Sequence, residues 1–370
     1  MTHCGLYGKR ESGMNRRNLL KALALVPLAS SGAMVAANPA TSRETSRVTS
    51  SVKKPRYAKR LQPGMTVGLV APAGNSPEDQ HIDFGVDIIK SLGFEVKLGS
   101  HLYQRHQYLA GTDAQRAADI NAMFKDPDVD AIICTRGGFG TPRLLPLLDY
   151  EAIARNPKIL LGYSDITALL NAIHLRTGLI TFHGPMAGQA YSDYTVAEFD
   201  RILMGAEVPT PLGAPPPFAQ RRGSAERANR ITRFVGGRAR GPLVGGNLTL
   251  LCTLMGTPFM PEFRGKLLFL EDIGESPYRV DRMLTQLWLA GVFEQVVGVV
   301  FGKFTDVVID GPSFSIEAVI RDRCATLTIP VVRGLMIGHV DDQSIIPVGG
   351  MAELDGDAGT LTLLEPVLRA

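Results

Sequence analysis

One serine in the chain stands where its hydroxyl could act as a nucleophile. Ser164 follows the apolar run 159–161 in the stretch GYSD, and a helical pattern starts directly after it. A serine at a strand-to-helix junction exposes its hydroxyl beside the free N–H groups of the helix, which suits attack over an oxyanion site. Ile166 occupies the position where a complete nucleophile elbow has glycine, so the same stretch is equally compatible with an ordinary helix N-cap.

A serine nucleophile requires a general base, and two histidines are placed for that role. His183 and His339 both end strand patterns at the start of a loop, and the pattern alone does not choose between them. Glu271 ends an almost wholly apolar strand, where a carboxylate is costly unless it has a partner. It is therefore the candidate to orient the histidine, whereas Asp272 and Glu275 also suit the N-terminus of the following helix.

A glycine-rich turn is the next candidate element. In TRGGFG, Gly137 and Gly138 follow an apolar strand, and their N–H groups could surround an oxyanion or a carboxylate. Arg136 beside them could bind a substrate carboxylate through two hydrogen bonds. The spacing does not match G-x-G-x-x-G, which argues against a dinucleotide. Cys134 is a rival nucleophile, but its apolar surroundings favour a buried structural thiol.

These residues need a scaffold that brings several strand ends together. Apolar strands alternate with helical patterns over residues 63–186, as in a parallel sheet covered by helices on both faces. In such a sheet the site lies at the carboxyl ends of the strands, where the serine, the glycine turn and the first histidine all fall. We predict an N-terminal α/β domain at 61–208, a Pro-rich linker at 209–222, and a second α/β domain with antiparallel strands at 223–370.

The N-terminal sequence has the pattern of an export signal. Arg16 and Arg17 precede an apolar stretch at 19–37 that ends in small residues, and the arginine pair indicates the twin-arginine type. Lys21 interrupts the apolar stretch, which makes it a poor membrane span.

The signal predicts a protein that acts in the periplasm. We expect the export signal to occupy 1–40, with translation starting at Met14 and cleavage near Ala37, and a flexible basic tether to follow at 41–60. After cleavage we expect no stable insertion in the membrane. An uncleaved N-terminal anchor is the alternative.

The body of the protein is acidic although the whole chain is basic. The formal net charge of the 370 residues is +3, but residues 1–60 contain twelve Lys and Arg against two Glu, which leaves 27 Lys and Arg against 34 Asp and Glu in residues 61–370. This balance argues against nucleic acid as a partner. The four cysteines are widely spaced, so we expect neither a disulfide framework nor a C-x-x-C metal pair. The stretch DGDAG at 355–359 lacks the glutamate of a calcium loop and predicts a hairpin turn.

Several motifs occur together in one order along the chain. They are RGGFG (136–140), GYSDIT (162–167), FHGPM (182–186), GGNLTLL (245–251), FLEDIGESPYRVDRML (269–284) and GHVDDQSIIPVG (338–349). With this set the chain resembles the LD-carboxypeptidase family, serine peptidases related to the microcin C self-immunity peptidase. The resemblance extends from about Pro63 to the C-terminus. Members of the family usually have RGGYG, so Phe139 is a conservative departure.

The resemblance implies both a fold and a catalytic triad. The family's nucleophile falls on Ser164, its acid on Glu271 and its base on His339. The implied fold is a class I glutamine-amidotransferase-like N-terminal domain with a parallel sheet, followed by a C-terminal α/β domain that contains a small β-barrel. The site is expected between the domains, and members often form homodimers.

The resemblance also implies the groups that surround the reacting carbonyl. The oxyanion hole uses the N–H of Asp165 together with a glycine of the RGGFG turn, and we expect Gly138 rather than Gly137. Arg136 and Asn247 are the candidates for holding the substrate. No metal or organic cofactor is needed for this chemistry.

The implied reaction is the release of terminal D-Ala from a murein tetrapeptide. Members that recycle murein commonly work in the cytoplasm, whereas this chain has an export leader. A first alternative is a microcin-immunity-type peptidase that cleaves an amide between an amino acid and a nucleotide mimic. A second is a non-catalytic murein-binding protein on the same scaffold. The third residue of the stem peptide and the choice between intact sacculi and soluble fragments stay open.

Overall fold

The computed structural model describes residues 53–309 and 311–370. The predicted export signal and most of the predicted tether lie outside these residues. Within the described ranges, none of the helices has the length and apolar character required to cross a membrane.

The strands of the described chain form two sheets. They are β1 Thr66–Val70, β2 Glu95–Leu98, β3 Ala131–Cys134, β4 Ile159–Gly162, β5 Thr181–His183, β6 Thr210–Leu212, β7 Thr232–Val235, β8 Arg238–Asn247, β9 Leu267–Ile273, β10 Gly298–Thr305, β11 Val331–Arg333, β12 Ile346–Val348, β13 Met351–Asp355 and β14 Thr360–Leu363. The β13–β14 connection is the predicted hairpin turn, in which Asp355 Oδ1 accepts hydrogen bonds from the amides of Asp357 and Ala358.

Helices cover these sheets. They are α1 Gln80–Ser91, α2 Asp113–Lys125, α3 Tyr150–Arg155, α4 Thr167–Thr177, α5 Asp193–Phe199, α6 Leu248–Leu254, α7 Pro277–Leu289 and α8 Ile316–Cys324. Short 3-10 turns occupy Thr141–Leu147 and Ser164–Ile166, and a π-helical turn occupies Asp200–Met204.

A six-stranded sheet with the order β12-β5-β4-β3-β1-β2 carries the serine and the glycine turn. Strands β1 to β5 are parallel, as the alternating sequence pattern predicts. All residues of β3, β4 and β5 are buried, which explains why these strands are continuous apolar runs.

The sixth strand of this sheet comes from the C-terminal half of the chain. β12 pairs antiparallel with β5 and brings Ile346 beside His183. The predicted domain at 223–370 therefore contributes one strand to the sheet of the predicted N-terminal domain, which the sequence did not indicate. The short sequence IPV has no alternation or turn signal that reveals its partner.

An eight-stranded curled sheet has the order β6-β14-β13-β8-β9-β10-β11-β7, open between β6 and β7. Its centre, β8 to β11, is parallel, and both flanks are antiparallel. The predicted linker at 209–222 is wrong at its start, because Thr210–Leu212 forms the edge strand β6. Thr210 and Leu212 are buried while Pro211 points outward, and a proline is tolerated on an edge strand.

The predicted flexible tether is also wrong where it enters the described chain. The Arg56 amide donates to Gly178 O at 2.8 Å, and the Arg369 amide donates to Ala58 O at 2.9 Å. Ala58 is fully buried. This segment therefore joins the start of the folded body to its C-terminus through backbone hydrogen bonds, which no side-chain periodicity reveals.

Candidate functional site

The backbone at Ser164 has the strained conformation of a nucleophile elbow. Ser164 begins the 3-10 turn after β4, and its φ is +61°, a value that is uncommon for a residue with a side chain. Its side chain caps no helix, since the N-cap positions of this turn and of α4 are Tyr163 and Ile166. The N-cap alternative for Ser164 is therefore excluded by the geometry. A Cβ on Gly162 would meet Ile166 side-chain atoms at 3.0–3.2 Å, so this glycine makes room for the isoleucine.

The glycine turn packs directly against this serine. A Cβ on Gly137 would lie 2.9 Å from Ser164 Oγ and 3.5 Å from the amide nitrogen of Asp165. Gly138 has a φ of +118°, and its amide donates to no protein oxygen in the described part of the chain. The turn is held from behind, because Gly137 O accepts a hydrogen bond from the Gly74 amide at 3.2 Å.

An imidazole and a carboxylate form a close pair at the same place. His339 Nδ1 lies 2.8 Å from Glu271 Oε2. Glu271 ends the apolar part of β9 and is fully buried, and this burial raises the pKa of its carboxyl group above the ordinary value. Gly338 has a φ of +117°, and a Cβ there would lie 2.6 Å from Glu271 Oε2. Only glycine at position 338 lets the loop bring His339 this close to the acid.

The fold brings that histidine over the six-stranded sheet. The His339 loop runs from β11 in the eight-stranded sheet to β12 in the six-stranded sheet. The Tyr163 ring, next to the serine, lies 4.8 Å from the His339 ring between centroids. No hydrogen bond joins Ser164 Oγ to His339 within residues 53–309 and 311–370, but both residues line one cleft.

The second candidate base lies outside this cleft. His183 is fully buried, and burial lowers the pKa of its imidazole to about 3. Its ring packs edge-on against Phe269, with the centroids 5.4 Å apart. The geometry therefore favours His339, the choice that the sequence pattern alone leaves open.

The cleft has a volume of about 490 Å³. It is lined by Ser76, Pro77, His81, Thr135, Arg136, Gly137, Gly138, Tyr163, Ser164, Met186, Gly188, Gln189 and His339. Arg136 is one of these residues, and its Nη1 donates to Asn75 O at 2.6 Å. One positive charge therefore lies in the same cleft as the serine and the histidine.

Asn247 is placed behind the site and not among the residues that line the cleft. Its side chain is buried, donates to Asp272 Oδ1 at 2.9 Å, and accepts from the Leu250 amide at the start of α6 at 3.2 Å. The structure gives Asn247 a positioning role, and its contact with substrate stays a prediction. Asp272 also accepts from the Thr249 amide at 3.0 Å, so this carboxylate stabilises the N-terminus of α6 rather than that of α7.

The remaining chemical candidates have structural surroundings. Cys134 is fully buried, and burial strongly raises the pKa of its thiol, which disfavours the thiolate. Glu275 forms a wide ion pair with Arg279 at 3.7 Å. Among the described residues, no group of three or more His, Cys, Asp and Glu side chains is arranged to hold a metal ion.

The carboxylate of Asp165 is a positioning group that sequence reasoning missed. Asp165 is buried, and its Oδ2 accepts from the Thr141 amide at 2.8 Å, while Thr141 Oγ1 donates to the Asp165 carbonyl. Burial raises the pKa of this carboxyl group. The residue that follows the serine thus clamps the segment that follows the glycine turn. The sequence signal for this role is the position of Asp165, an acidic residue between the apolar run 159–161 and the apolar helix that follows it.

Comparisons with known protein families identify related domains in both halves of the chain. The model for the LD-carboxypeptidase N-terminal domain matches residues 67–184, and that for the LD-carboxypeptidase C-terminal domain matches residues 240–354. A probable murein peptide carboxypeptidase of Bacillus subtilis (strain 168) is 40% identical over 304 residues, which are 80% of this chain and 91% of the relative.

Solved structures give the same result. A structure of MccF in complex with glutamyl sulfamoyl guanosine has a TM-score of 0.78 and 29% identity, and the match covers 85% of this chain and 100% of that one. A muramoyltetrapeptide carboxypeptidase from Oxalobacter formigenes has a TM-score of 0.70 and 32% identity, covering 83% and 100% of the two chains.

Proposed function

The chain belongs to the LD-carboxypeptidase family, and on that premise we propose that it is a serine L,D-carboxypeptidase that releases the terminal D-Ala from murein tetrapeptides. One observation carries the proposal. The buried Glu271 carboxylate holds the His339 imidazole in the cleft into which the strained Ser164 also faces.

The proposed mechanism uses a triad of these residues. His339 takes the proton of Ser164 Oγ as the hydroxyl attacks the peptide carbonyl. Glu271 accepts the hydrogen bond from Nδ1, which fixes the ring and stabilises its cationic form. His339 then donates the proton to the leaving amine of D-Ala, and water attacks the acyl-enzyme with His339 again acting as base.

The glycine turn and the 3-10 turn Ser164–Ile166 supply the oxyanion hole in this proposal. The amides of Asp165 and Gly138 face the growing negative charge, and each such donor contributes about a hundredfold or more to the rate. The amides of Gly137 and Gly138 both lack a protein acceptor in the described part of the chain, so either is free to donate to an oxyanion. We assign the role to Gly138 because Gly137 packs directly against the serine side chain.

The substrate assignment uses the names of relatives and the charge in the cleft. The relatives described above include proteins named for murein peptides and muramoyltetrapeptides. A carboxypeptidase must bind the terminal carboxylate of its substrate, and Arg136 supplies a guanidinium in the cleft. Neither a metal nor an organic cofactor takes part in the proposed steps.

The decisive experiment measures D-Ala release from purified muropeptide tetrapeptide. Residues 41–370 are compared with the same protein carrying Ser164→Ala and with a Cys134→Ala control. Release by the parent and the control but not by Ser164→Ala supports the proposal. Equal release by the Ser164→Ala variant contradicts it, and no release by a folded parent favours another amide substrate or a non-catalytic murein-binding protein.

The likeness to MccF supports a second candidate function. A peptidase of that type would cleave an amide between an amino acid and a nucleotide mimic. Supplying glutamyl sulfamoyl guanosine and muropeptide tetrapeptide in separate assays distinguishes the two, since the preferred substrate has the higher kcat/KM.

We propose a periplasmic location on the basis of the arginine pair and apolar stretch before residue 40. A reporter fused after Ala40 should appear in the periplasm, and a reporter retained in the cytoplasm contradicts the location without affecting the chemistry. The homodimer is likewise a proposal, which light scattering of the purified protein tests.

A further inference from the structure

An exposed pair of aromatic rings stands beside the cleft. The side chains of Tyr108 and Phe139, here called the aromatic rim, are 59% and 54% exposed, and their ring centroids lie 5.7 Å apart in an edge-to-face arrangement. Phe139 directly follows Gly138, which lines the cleft. The proposed mechanism uses neither ring.

Short backbone contacts hold the aromatic rim in place. Tyr108 lies at the tip of a tight turn in which His106 and Leu109 exchange backbone hydrogen bonds of 2.8 and 3.0 Å, and Gln107 has a φ of +55°. Leu109 is buried under Gly140, where a Cβ would lie 2.6 Å from Leu109 Cδ2. Aromatic side chains on a fixed backbone lose little conformational freedom when they bind a ligand.

Asn75 connects the aromatic rim to the cleft. The backbone N–H of Asn75 donates to Tyr108 O at 3.3 Å, and its side-chain Nδ2 donates to Gln107 O at 2.6 Å. Its backbone carbonyl accepts a hydrogen bond from Arg136 Nη1 at 2.6 Å. Because Arg136 lines the cleft, the rim and the cleft wall form one hydrogen-bonded surface.

We propose that the aromatic rim is a subsite for a pyranose ring of the murein glycan that is joined to the stem peptide. This inference rests on the proposed function. The negative face of an aromatic ring attracts groups with partial positive charge, and the C–H groups on one face of a pyranose carry such charge. The rim thereby distinguishes a peptide that carries its sugar from a free peptide.

The dimensions agree with this occupant. The glycan is joined to the first residue of the stem, three residues before the scissile bond, and three extended residues span about 10 Å. Phe139 lies two residues beyond Gly137, which packs against Ser164, so its backbone lies within about 7 Å of that contact and its ring reaches further.

The test compares two substrates that differ only in the sugar. D-Ala release is measured with the disaccharide-linked tetrapeptide and with the free tetrapeptide, for the parent and for Phe139→Ala, Tyr108→Ala and Phe139→Tyr. We expect the ratio of kcat/KM values, sugar-linked over free, to fall about three- to tenfold in each alanine variant and to be retained in Phe139→Tyr. Phe314→Ala is the control, because Phe314 is also exposed, at 72%, but lines a separate cavity beside Asp281 and Ser315; it should leave the ratio unchanged.

Two results overturn the subsite. One is a parent ratio near one, and the other is an equal fall for both substrates in the alanine variants, which would assign the rim to support of the glycine turn. If the parent cleaves neither substrate, saturation-transfer NMR can still measure whether the peptide-free disaccharide binds to the aromatic rim. A signal that is lost in the Tyr108→Ala/Phe139→Ala double variant then supports the subsite while the proposed function fails, and no signal from the parent refutes the subsite.

Discussion

The substitution Gly137→Ala tests how closely the glycine turn supports Ser164, the proposed nucleophile. The new Cβ would lie 2.9 Å from both Cβ and Oγ of Ser164. Gly137 is not among the residues with a positive φ, so its backbone conformation accepts alanine. The substitution therefore acts on the serine and leaves the conformation of the turn allowed.

The size of the effect follows from the displacement that is needed. Ordinary contact begins at 3.4 Å, so the serine side chain and the turn must separate by about half an ångström. A misplacement of about 1 Å at a reacting group costs about a hundredfold in rate. We therefore expect kcat to fall about tenfold, or about a hundredfold if the neighbouring amide of Gly138 also leaves the oxyanion position. KM should change less, because Arg136 is not displaced.

The assay combines steady-state kinetics of D-Ala release with the rate of labelling of Ser164 by a fluorophosphonate. Both rates should fall together, while the thermal unfolding midpoint changes little. Gly256→Ala is a matched control: a Cβ there meets no atom within 4 Å, but its φ of +77° makes alanine strained, so that stability falls by about 1 kcal/mol without a change in kcat. Folded Gly137→Ala protein with kcat and labelling within twofold of the parent would refute the reasoning.

Two further changes probe other parts of the site, and a third probes the buried His183. Glu271→Gln removes the charge that stabilises cationic His339, so kcat should fall about 10³-fold with KM little changed, and a fall below tenfold in D-Ala release contradicts the triad. Asp165→Ala removes the acceptor of the Thr141 amide and should lower kcat about tenfold, with partial recovery in Asp165→Asn; equal loss in both variants would contradict the clamp. Because burial lowers the pKa of His183 from 6.5 to about 3, the unfolded chain binds a proton there that the folded chain does not, and stability falls as pH falls through that window. His183→Phe lacks this loss of stability. Its free energy of unfolding in urea, minus that of the parent, should therefore increase by about 1.4 kcal/mol for each pH unit as the pH is lowered from 6 to 4. A difference between variant and parent that does not depend on pH argues against a neutral His183.

The sequence predicts the parallel sheet and the residues at its strand ends because both are local. Continuous apolar strands separated by amphipathic helices indicate a sheet covered on both faces, and the carboxyl ends of its strands carry the glycine turn and Ser164. The positive φ of Ser164 is compatible with the half-matched elbow, in which Ile166 replaces the expected glycine.

Contacts between distant segments are what the sequence leaves open. Nothing in the pattern around His183 or His339 states which one meets Glu271, since that depends on the pairing of β12 with β5. The edge strand Thr210–Leu212 lies in a proline-rich stretch and, among the described strands, pairs with β14 alone, so no local pattern reveals it. The clamp from Asp165 to Thr141 joins two turns through single hydrogen bonds, and such contacts have no periodicity.

The loop that carries His339 links the assembly of the site to the completion of folding. It is fixed at one end in the eight-stranded sheet and at the other in the six-stranded sheet, where Ile346 meets His183 from far along the chain. Pairing β12 with β5 closes the whole chain segment between His183 and Ile346. Because closing so long a segment costs conformational entropy before the contact forms, this pairing should form late. Refolding followed both by circular dichroism and by D-Ala release should show the activity returning after the secondary structure, and a simultaneous return would contradict that order. A chain in which β12 has not yet paired should lack the contact between His339 and Glu271, so the proposed hydrolysis should begin only when folding is complete.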